Sequence, residues 1–258
     1  MPLRFPEVRD VPLGKSPLTE VLCQVRFPPI LSIGRGQPVE FQEAIRKRFP
    51  ELEEEQNLHV RVTAGGNSHE AITEIYGRTF HFRTPSKETS VSLGVDAYAI
   101  STSRYTVWDD FANDLALIHG AAMAAYGLPY AKRIGLRYVN HLDFERTGCT
   151  SFEELRTFLR PELVALMATD AWDRPEEVVS QILLRDGVGR LVLRVAARAV
   201  EDQPPVILLD FDYYEEGEVP LDDLVERCNR YHDVVYRAFR WALGADKLDV
   251  FAPVARER

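Results

Sequence analysis

The chain has 258 residues, of which 45% are hydrophobic and 28% charged, and its formal net charge is −9. This composition is ordinary for a globular protein that buries a core. The acidic excess disfavours a dedicated nucleic-acid-binding protein, because phosphate contacts need clustered Lys and Arg. Charge alone does not exclude a nucleic-acid partner.

The sequence has no run of eighteen apolar residues, and its start lacks the apolar core of a signal peptide. We therefore expect a cytoplasmic protein with no membrane partner. The three cysteines are scattered and form neither a disulfide framework nor a zinc pattern. Cys23 and Cys228 lie in apolar patterns and are predicted to be small core residues.

The first half begins with a proline-rich stretch, residues 1–17, that predicts an extended N-terminal arm over the body. An alternating strand follows at 18–27, then a helix at 39–49 and an acidic loop at 51–55. Further strands are expected near 58–64, 70–77, 79–84 and 89–102, with turns at 65–67 and 76–78. A helix over 107–126 ends at Gly127, and 128–132 links to the second half.

The second half is predicted to follow the same order. It has a strand at 132–144, a helix at 151–167, strands at 177–186, 189–200 and 205–214, and a helix at 220–243. Asp186-Gly187 is typical of a hairpin turn. The acidic residues 215–218 read as a solvated linker, and 245–258 as a C-terminal tail.

Residues 18–127 and 133–244 are interpreted as two copies of one unit. Val25-Arg26-Phe27 matches Leu136-Arg137-Tyr138 at an offset of 111, and the apolar stripes of the two last helices match at an offset of 113. We expect an α+β protein of two repeats, with mostly antiparallel sheets each gripped by helices. A pseudo-two-fold axis would place a saddle or a cleft between the halves, where ligands often bind.

Acidic pairs precede both stripes, at Asp109-Asp110 and Asp222-Asp223. Negative charge stabilises the positive end of a helix dipole. These aspartates are therefore predicted to cap the two helices.

Four strand arginines recur at the same offset of 111, namely Arg26 with Arg137 and Arg83 with Arg194. Guanidinium groups on a sheet face can bind an anionic ligand bidentately. The alternative is that they pair with carboxylates of the protein. The candidate carboxylates are Glu74, Asp96, Asp210 and Asp212.

His119 and His232 occupy equivalent positions in the two last helices, at an offset of 113. They are candidate ligand-binding residues across the pseudo-dyad, or else partly buried helix residues bonded to neighbours. Asn140 joins them, because the strand around it is the densest in polar and aromatic residues. A pocket is most expected beside that strand.

The sequence contains no strong catalytic, metal or cofactor signature. The glycines at 34–36 and 65–66 lack the strand and helix context of a phosphate-binding loop, and Gly-x-Ser-x-Gly is absent. No catalytic residue, metal ligand or cofactor is therefore assigned, and the sequence leans away from an enzyme.

Three segments together resemble a sporadically distributed, uncharacterised bacterial protein family of about this length. They are Pro17-Leu18-Thr19-Glu20-Val21 leading into Cys23 to Pro28, Arg133 to Asn140, and Tyr231-His232-Asp233 followed by Phe239. The resemblance implies a prokaryotic origin and a single unit, without a transferable activity. Patchy distribution is typical of mobile-element or defence neighbourhoods.

The leading hypothesis is a non-enzymatic binding or interaction protein, with a cleft or platform between its halves for a partner protein or an anionic small ligand. The alternative is a nuclease-like hydrolase using His119, His232 and strand carboxylates. A third hypothesis is a subunit of a larger complex, for which an exposed apolar patch would be the sign.

Overall fold

Among the described residues, nine strands form one antiparallel sheet that runs through both predicted repeats. A computed structural model describes residues 3–65, 68–172, 175–198, 204–244 and 246–254, with side chains described outside 57–76. The strands are β1 (Leu18–Arg26), β2 (Glu51–Gly65), β3 (Ser68–Arg83), β4 (Thr89–Leu93), β5 (Ala97–Thr102), β6 (Ala131–Leu142), β7 (Glu177–Asp186), β8 (Gly189–Arg198) and β9 (Val206–Val219). Their spatial order is β2-β3-β4-β5-β1-β6-β9-β8-β7. The α+β class is confirmed, whereas the expectation of a separate sheet in each half is wrong.

Two long helices, α3 and α7, pack on one side of this sheet. The helices are α1 (Leu31–Arg35), α2 (Val39–Ile45), α3 (Trp108–Tyr126), α4 (Phe144–Thr147), α5 (Phe152–Arg156), α6 (Pro161–Val164) and α7 (Leu224–Ala242). The predicted stripes of α3 and α7 are buried against the sheet, as Leu115 and Val235 illustrate. No helix in the described part of the chain is both long and apolar enough to cross a membrane.

The centre of the sheet is the antiparallel pair of β1 and β6. Alternation along β1 turns Val21, Cys23 and Val25 toward the helices, where all three are buried. Cys23 lies opposite Leu136 of β6, and its sulfur is 3.8 Å from that of Cys228 on α7. Both cysteines are free, as expected for small core residues.

The N-terminal arm lies over the body, and the C-terminal tail holds it there. Gly14 donates its backbone N–H to the carbonyl of Ala252 at 2.9 Å, and Val254 donates to Pro12 at 2.8 Å. Val11 donates its N–H to the hydroxyl of Tyr236 on α7. The two ends of the described chain therefore form one layer beside α7.

Two acidic runs that were predicted as loops are strands. Residues 51–55 begin β2, where Glu53 and Glu55 lie opposite His81 and Thr79. Residues 215–218 continue β9, and Glu215 is buried beside Arg227 at 2.8 Å. In both cases cross-strand pairing outweighs the low strand propensity of glutamate.

Several predicted boundaries are also wrong. Residues 76–78 form no turn but lie inside β3, where the ladder has a register shift opposite Asn57/Leu58. The single strand expected at 89–102 is a hairpin, closed by a hydrogen bond from Gly94 to Ala97 at 2.8 Å. The helix expected at 151–167 is broken into α5, α6 and a 3-10 turn. The predicted turn at 65–67 falls mostly outside the described residues.

The helix end predicted at Gly127 and the turn predicted at Asp186-Gly187 are confirmed. Gly127 ends α3 in the left-handed region with φ 55°, and Gly187 turns β7 into β8 with φ 58°. The predicted aspartate caps are wrong in detail, because neither α3 nor α7 has a side-chain cap hydrogen bond. Asp223 instead pairs with Arg227, one turn along α7, at 2.9 Å.

Candidate binding surfaces

The side of the sheet opposite α3 and α7 is an open face made of polar and small side chains. Strand alternation places the predicted arginines on this face, interleaved with residues that point into the core. The middle of the open face carries small residues, with Ser90 bonded to Ser101 at 3.0 Å across β4 and β5. Charged side chains flank this middle on both sides.

Asp210 holds two of the predicted arginines. Its carboxylate accepts two hydrogen bonds from Arg137, both at 2.8 Å, and one from Arg194 at 2.9 Å. Asp210 is 2% exposed, whereas the two arginine side chains keep 40% and 35% exposure. The pKa of Arg137 is raised by its hydrogen bond to Asp210. The three side chains form a charge-assisted cluster across β6, β9 and β8.

A second ion pair lies beside this cluster. Arg133 donates to both oxygens of Asp212 at 2.9 and 2.7 Å, and its guanidinium lies over the ring of Tyr214, 4.6 Å from the centroid. Gly135 leaves room for it, since a Cβ there would lie 2.3 Å from a guanidinium nitrogen. Burial raises the pKa of Asp212, although Arg133 opposes the shift.

The two other predicted arginines lie apart from these pairs. Arg26 is exposed at the end of β1, 3.8 Å from Asp96. Arg83 pairs with Glu53 on β2. Arg83 lies three strands from β1, whereas Arg194 lies two strands from β6, so their sequence offset does not place them equivalently. Each of the four predicted arginines thus has a carboxylate of the protein as its neighbour.

No family model and no curated protein matches this chain.

His119 on α3 is hydrogen-bonded on both ring nitrogens. Nε2 lies 3.1 Å from the carbonyl oxygen of Leu221, which can only accept, so Nε2 carries the proton. Nδ1 of the neutral ring then accepts from the hydroxyl of Tyr98 at 2.9 Å. Burial lowers the pKa of His119 below its ordinary value of 6.5. These contacts indicate a structural role that joins α3 to β5 and to the segment before α7.

We expect the free energy of unfolding of His119→Gln to fall less steeply with decreasing pH than that of the unaltered protein. Because the folded pKa of His119 is lowered, the unfolded chain binds the proton more readily, and stability is lost as pH falls below about 6.5. Glutamine does not titrate, so the variant lacks this contribution. Urea unfolding at several pH values between about 7.5 and about 5 measures it. Equal pH slopes for the two proteins would contradict the expected effect.

His232 on α7 lies in a different setting, against a cavity that we call the arm cavity. Its Nδ1 is 2.7 Å from the hydroxyl of Tyr138, and its Nε2 is 3.6 Å from the carboxylate of Asp10 in the N-terminal arm. The ring of Trp108 stacks on it at 4.6 Å, nearly parallel. The arm cavity has an empty volume, mouth included, of about 550 Å³. It is lined by Asp10, Val11, Pro12, Leu13, Ser16, Leu18, Tyr105, Thr106, Val107, Tyr138, Asn140, His232, Tyr236 and Phe239.

The structure therefore brings His232 and Asn140 together but separates them from the predicted arginines. Both lie on the helix side of the sheet, whereas Asp210 and Asp212 face the other way. His119 has its own partners and does not line the arm cavity. In the described part of the chain, no group of three His, Cys, Asp or Glu side chains is placed to hold a metal ion.

The free edge of the sheet at β7 is a third surface, and sequence reasoning missed it. Val179, Ile182 and Leu183 are 58%, 42% and 57% exposed, with Val188 in the adjoining turn at 79%. Val179 and Leu183 belong to the open face, and Ile182 to the helix side. The run Val178 to Leu184, mostly apolar and without Lys or Pro, was the available signal.

Proposed function

We propose that this protein is a non-enzymatic interaction protein that pairs with a second copy through β7 and presents its open face to a partner protein. The observation that carries the proposal is the β7 edge, where aliphatic side chains are exposed on both sides of a free strand. Exposed apolar patches on a strand edge mark interaction surfaces.

The two edges of the sheet differ in a way that supports this proposal. Natural edge strands are commonly protected by charge, proline or bulges. Edge strand β2 carries four glutamates between positions 51 and 55 and a register shift. Edge strand β7 pairs with β8 without any shift over all ten residues. Where the side chains of the two edge strands are described, 51–56 of β2 and all of β7, it is β7 that offers a regular and apolar template for another strand.

The sequence of β7 favours a second copy of the same strand. In an antiparallel register centred on Gln181, Glu177 lies opposite Arg185 of the second copy, and Val179 lies opposite Leu183. Opposite charges and aliphatic pairs directly across an antiparallel ladder stabilise it. Residues directly opposite share a face, so the two open faces would join into one continuous surface.

We further propose that the fold arose by internal duplication. The first strands of the two halves, β1 and β6, are neighbours at the centre. Each pairs on its other side with the last strand of its own half, β5 or β9. Each half then ends in a helix of 19 residues. This common order supports a pseudo-two-fold relation, while the unequal positions of Arg83 and Arg194 limit it to the inner strands.

The other two hypotheses have less support. An anionic ligand on the open face would compete with Asp210 and Asp212, which already occupy the best placed guanidinium groups. A hydrolase would need its histidines and strand carboxylates in one cleft, but the sheet lies between them. A setting in mobile-element or defence neighbourhoods remains an expectation of the family resemblance.

The proposal predicts a dimer that depends on β7. We expect sedimentation equilibrium to give twice the chain mass for the unaltered protein and the single chain mass for Val179→Lys/Leu183→Lys, because lysines would then face one another across the ladder. Both positions are more than half exposed, so the fold should tolerate the change. Val188→Lys, in the turn outside the strand, is the matched control and should remain dimeric.

A charge exchange tests the register itself. Glu177→Arg places Arg opposite Arg185 and should weaken the dimer, and adding Arg185→Glu should restore it. A monomeric unaltered protein, or a dimer that survives both lysines, would overturn assembly through β7. If Glu177→Arg and the double variant form dimers as stable as that of the unaltered protein, the register centred on Gln181 is wrong.

A further inference from the structure

We infer that a groove on the helix side of the sheet, beside its β7 edge, binds an alkyl carboxylate of about eight carbon atoms. We call it the edge groove. It lies within one chain, so the inference goes beyond the proposed function and does not depend on assembly through β7. The described residues that line it are Leu3, Arg4, Phe5, Ile182, Leu184, Arg185, Leu193 and Trp241.

The inside of the edge groove is apolar. Leu193 of β8 is 1% exposed, whereas Ile182 of β7 is 42% exposed. On the opposite side the rings of Phe5 and Trp241 lie 5.5 Å apart. The groove has an empty volume, mouth included, of about 960 Å³, which is in the usual range of small-molecule sites. An apolar chain that lies in it would cover aliphatic and aromatic surface that now faces water.

The wall opposite β7 is held in place by contacts from outside the groove. Arg160 donates its Nε to the carbonyl oxygen of Trp241 at 2.6 Å, and its guanidinium lies over the indole ring at 5.1 Å. Leu3 donates its backbone N–H to the carboxylate of Asp186, at the end of β7, at 3.4 Å. The wall is therefore formed before a ligand binds, which lowers the entropic cost of binding.

The charge along the edge groove is positive. Arg4 and Arg185 line it, and among its described lining residues there is neither Asp nor Glu. Alternation along β7 turns Arg185 toward the open face, so we assign the head group of the ligand to Arg4. A guanidinium group suits a carboxylate because its donors match the two oxygens.

The carboxylates near Arg4 have other partners. Glu7, the acidic residue nearest to it in the sequence, lies 3.9 Å from Arg237. Asp186 accepts from Leu3 and from the hydroxyl of Tyr213. No described carboxylate forms an ion pair with Arg4, which is exposed in the arm. An apolar groove with an available guanidinium at its side favours an amphiphilic anion over a cation or a purely apolar molecule.

Isothermal titration with sodium octanoate at about pH 7.5 tests this inference, because the carboxylate is ionised there. We expect one site per chain with a Kd of about 0.1–1 mM. A fully buried CH₂ group contributes about fourfold in affinity, and about twofold if one side stays in water, so butanoate should bind about 16-fold more weakly. Octylammonium chloride should bind at least about threefold more weakly than octanoate. The absence of saturable octanoate binding, or equal affinity for octylammonium, would overturn the inference.

Two pairs of variants locate the site. Ile182→Asn makes one wall polar and should weaken octanoate binding about fivefold, whereas Val179→Asn, on the other face of the same strand, should not change it. Arg4→Gln should weaken octanoate about threefold and remove the preference over octylammonium, whereas Arg9→Gln, in the same arm but outside the groove, should do neither. Unchanged binding in Ile182→Asn, or a preference that survives Arg4→Gln, would overturn the site.

The doubly substituted Val179→Lys/Leu183→Lys separates this inference from the proposed dimer. Both substituted side chains belong to the open face, so this variant should bind octanoate as the unaltered protein does. Binding that is lost with the dimer would overturn the assignment of the groove to one chain. Octanoate binding by a protein that is monomeric throughout would leave the inference intact and contradict the proposed assembly alone.

The same combination of alkyl chain and negative charge occurs on an anionic membrane. Sedimentation with phosphatidylglycerol vesicles distinguishes the two sources. We expect the protein to stay in the supernatant, because its net charge of −9 opposes approach to an anionic surface. Co-sedimentation with the vesicles would overturn the assignment to a free carboxylate.

Discussion

Trp108→Ala should lower the free energy of unfolding by about 3–5 kcal/mol, as expected for a buried tryptophan reduced to alanine. Trp108 begins α3 and is only 6% exposed. Its ring stacks on His232, and its Nε1 donates to Asn229 at 2.7 Å, so it joins α3 to two turns of α7. Removing the ring leaves a cavity between the helices and removes the hydrogen bond to Asn229. Urea denaturation followed by far-ultraviolet circular dichroism measures the loss.

Trp172→Ala is the matched control for this variant. Trp172 is 46% exposed, and its Nε1 donates to the carbonyl oxygen of Leu166 at 3.2 Å. We expect a loss of about 1 kcal/mol or less, because little apolar surface is buried there. Similar losses for the two variants would contradict the view that Trp108 couples the helices.

Asp210→Asn should lower the free energy of unfolding by about 2 kcal/mol. The amide keeps the size of the side chain but removes the charge that accepts from Arg137 and Arg194. Breaking a fully buried ion pair costs about 3–5 kcal/mol, and we expect less because both arginines remain over one-third exposed to water. Urea denaturation again provides the measurement.

Salt gives this prediction a second readout. In Asp210→Asn the two arginines repel one another near the surface. Added salt screens this repulsion and should therefore reduce the difference in unfolding free energy between the variant and the unaltered protein. Glu216→Gln is the matched control, since Glu216 is 46% exposed and its ion-pair partner among the described residues is Arg190. That variant should lose less than about 1 kcal/mol. If Asp210→Asn loses no more unfolding free energy than Glu216→Gln at every salt concentration, the cluster contributes no more to stability than a surface ion pair.

The elements that were predicted well are those whose signals are local. The helical stripes of α3 and α7, the glycine stop at Gly127 and the turn at Gly187 follow from backbone and side-chain periodicity over a few residues. The strand from Leu18 likewise follows from simple alternation. In each case the tertiary structure agrees with the local preference.

The errors occur where distant pairing or a single proline decides the outcome. Glu51 to Glu55 look like a loop until β3 supplies Thr79, His81 and Arg83 as cross-strand neighbours. The expected helix at 151–167 overlooked Pro161, which lacks an N–H and begins α6 instead. Alternation alone also could not place Gly94 in a hairpin between β4 and β5.

The candidate surfaces were only partly predictable for a related reason. Sequence periodicity placed Asn140 and His232 in a polar strand and an amphipathic helix, but it could not bring Asp10 to them from the arm. The arginine positions were readable from alternation, whereas their partners depend on the register between β6, β9 and β8. The exposure of β7 depends on strand order, which local patterns do not specify.

The arm over the cavity is secured by residues from the opposite end of the chain. Pro12 and Gly14 are bonded to Val254 and Ala252, so the segment that carries Asp10 is held in place by the tail. A truncation of the C-terminal tail would thus act on the cavity indirectly, by removing backbone hydrogen bonds of the arm segment that lines it. Cleavage within the tail by a protease would remove these backbone hydrogen bonds and leave the arm held by its contacts with the body, such as that of Val11 with Tyr236.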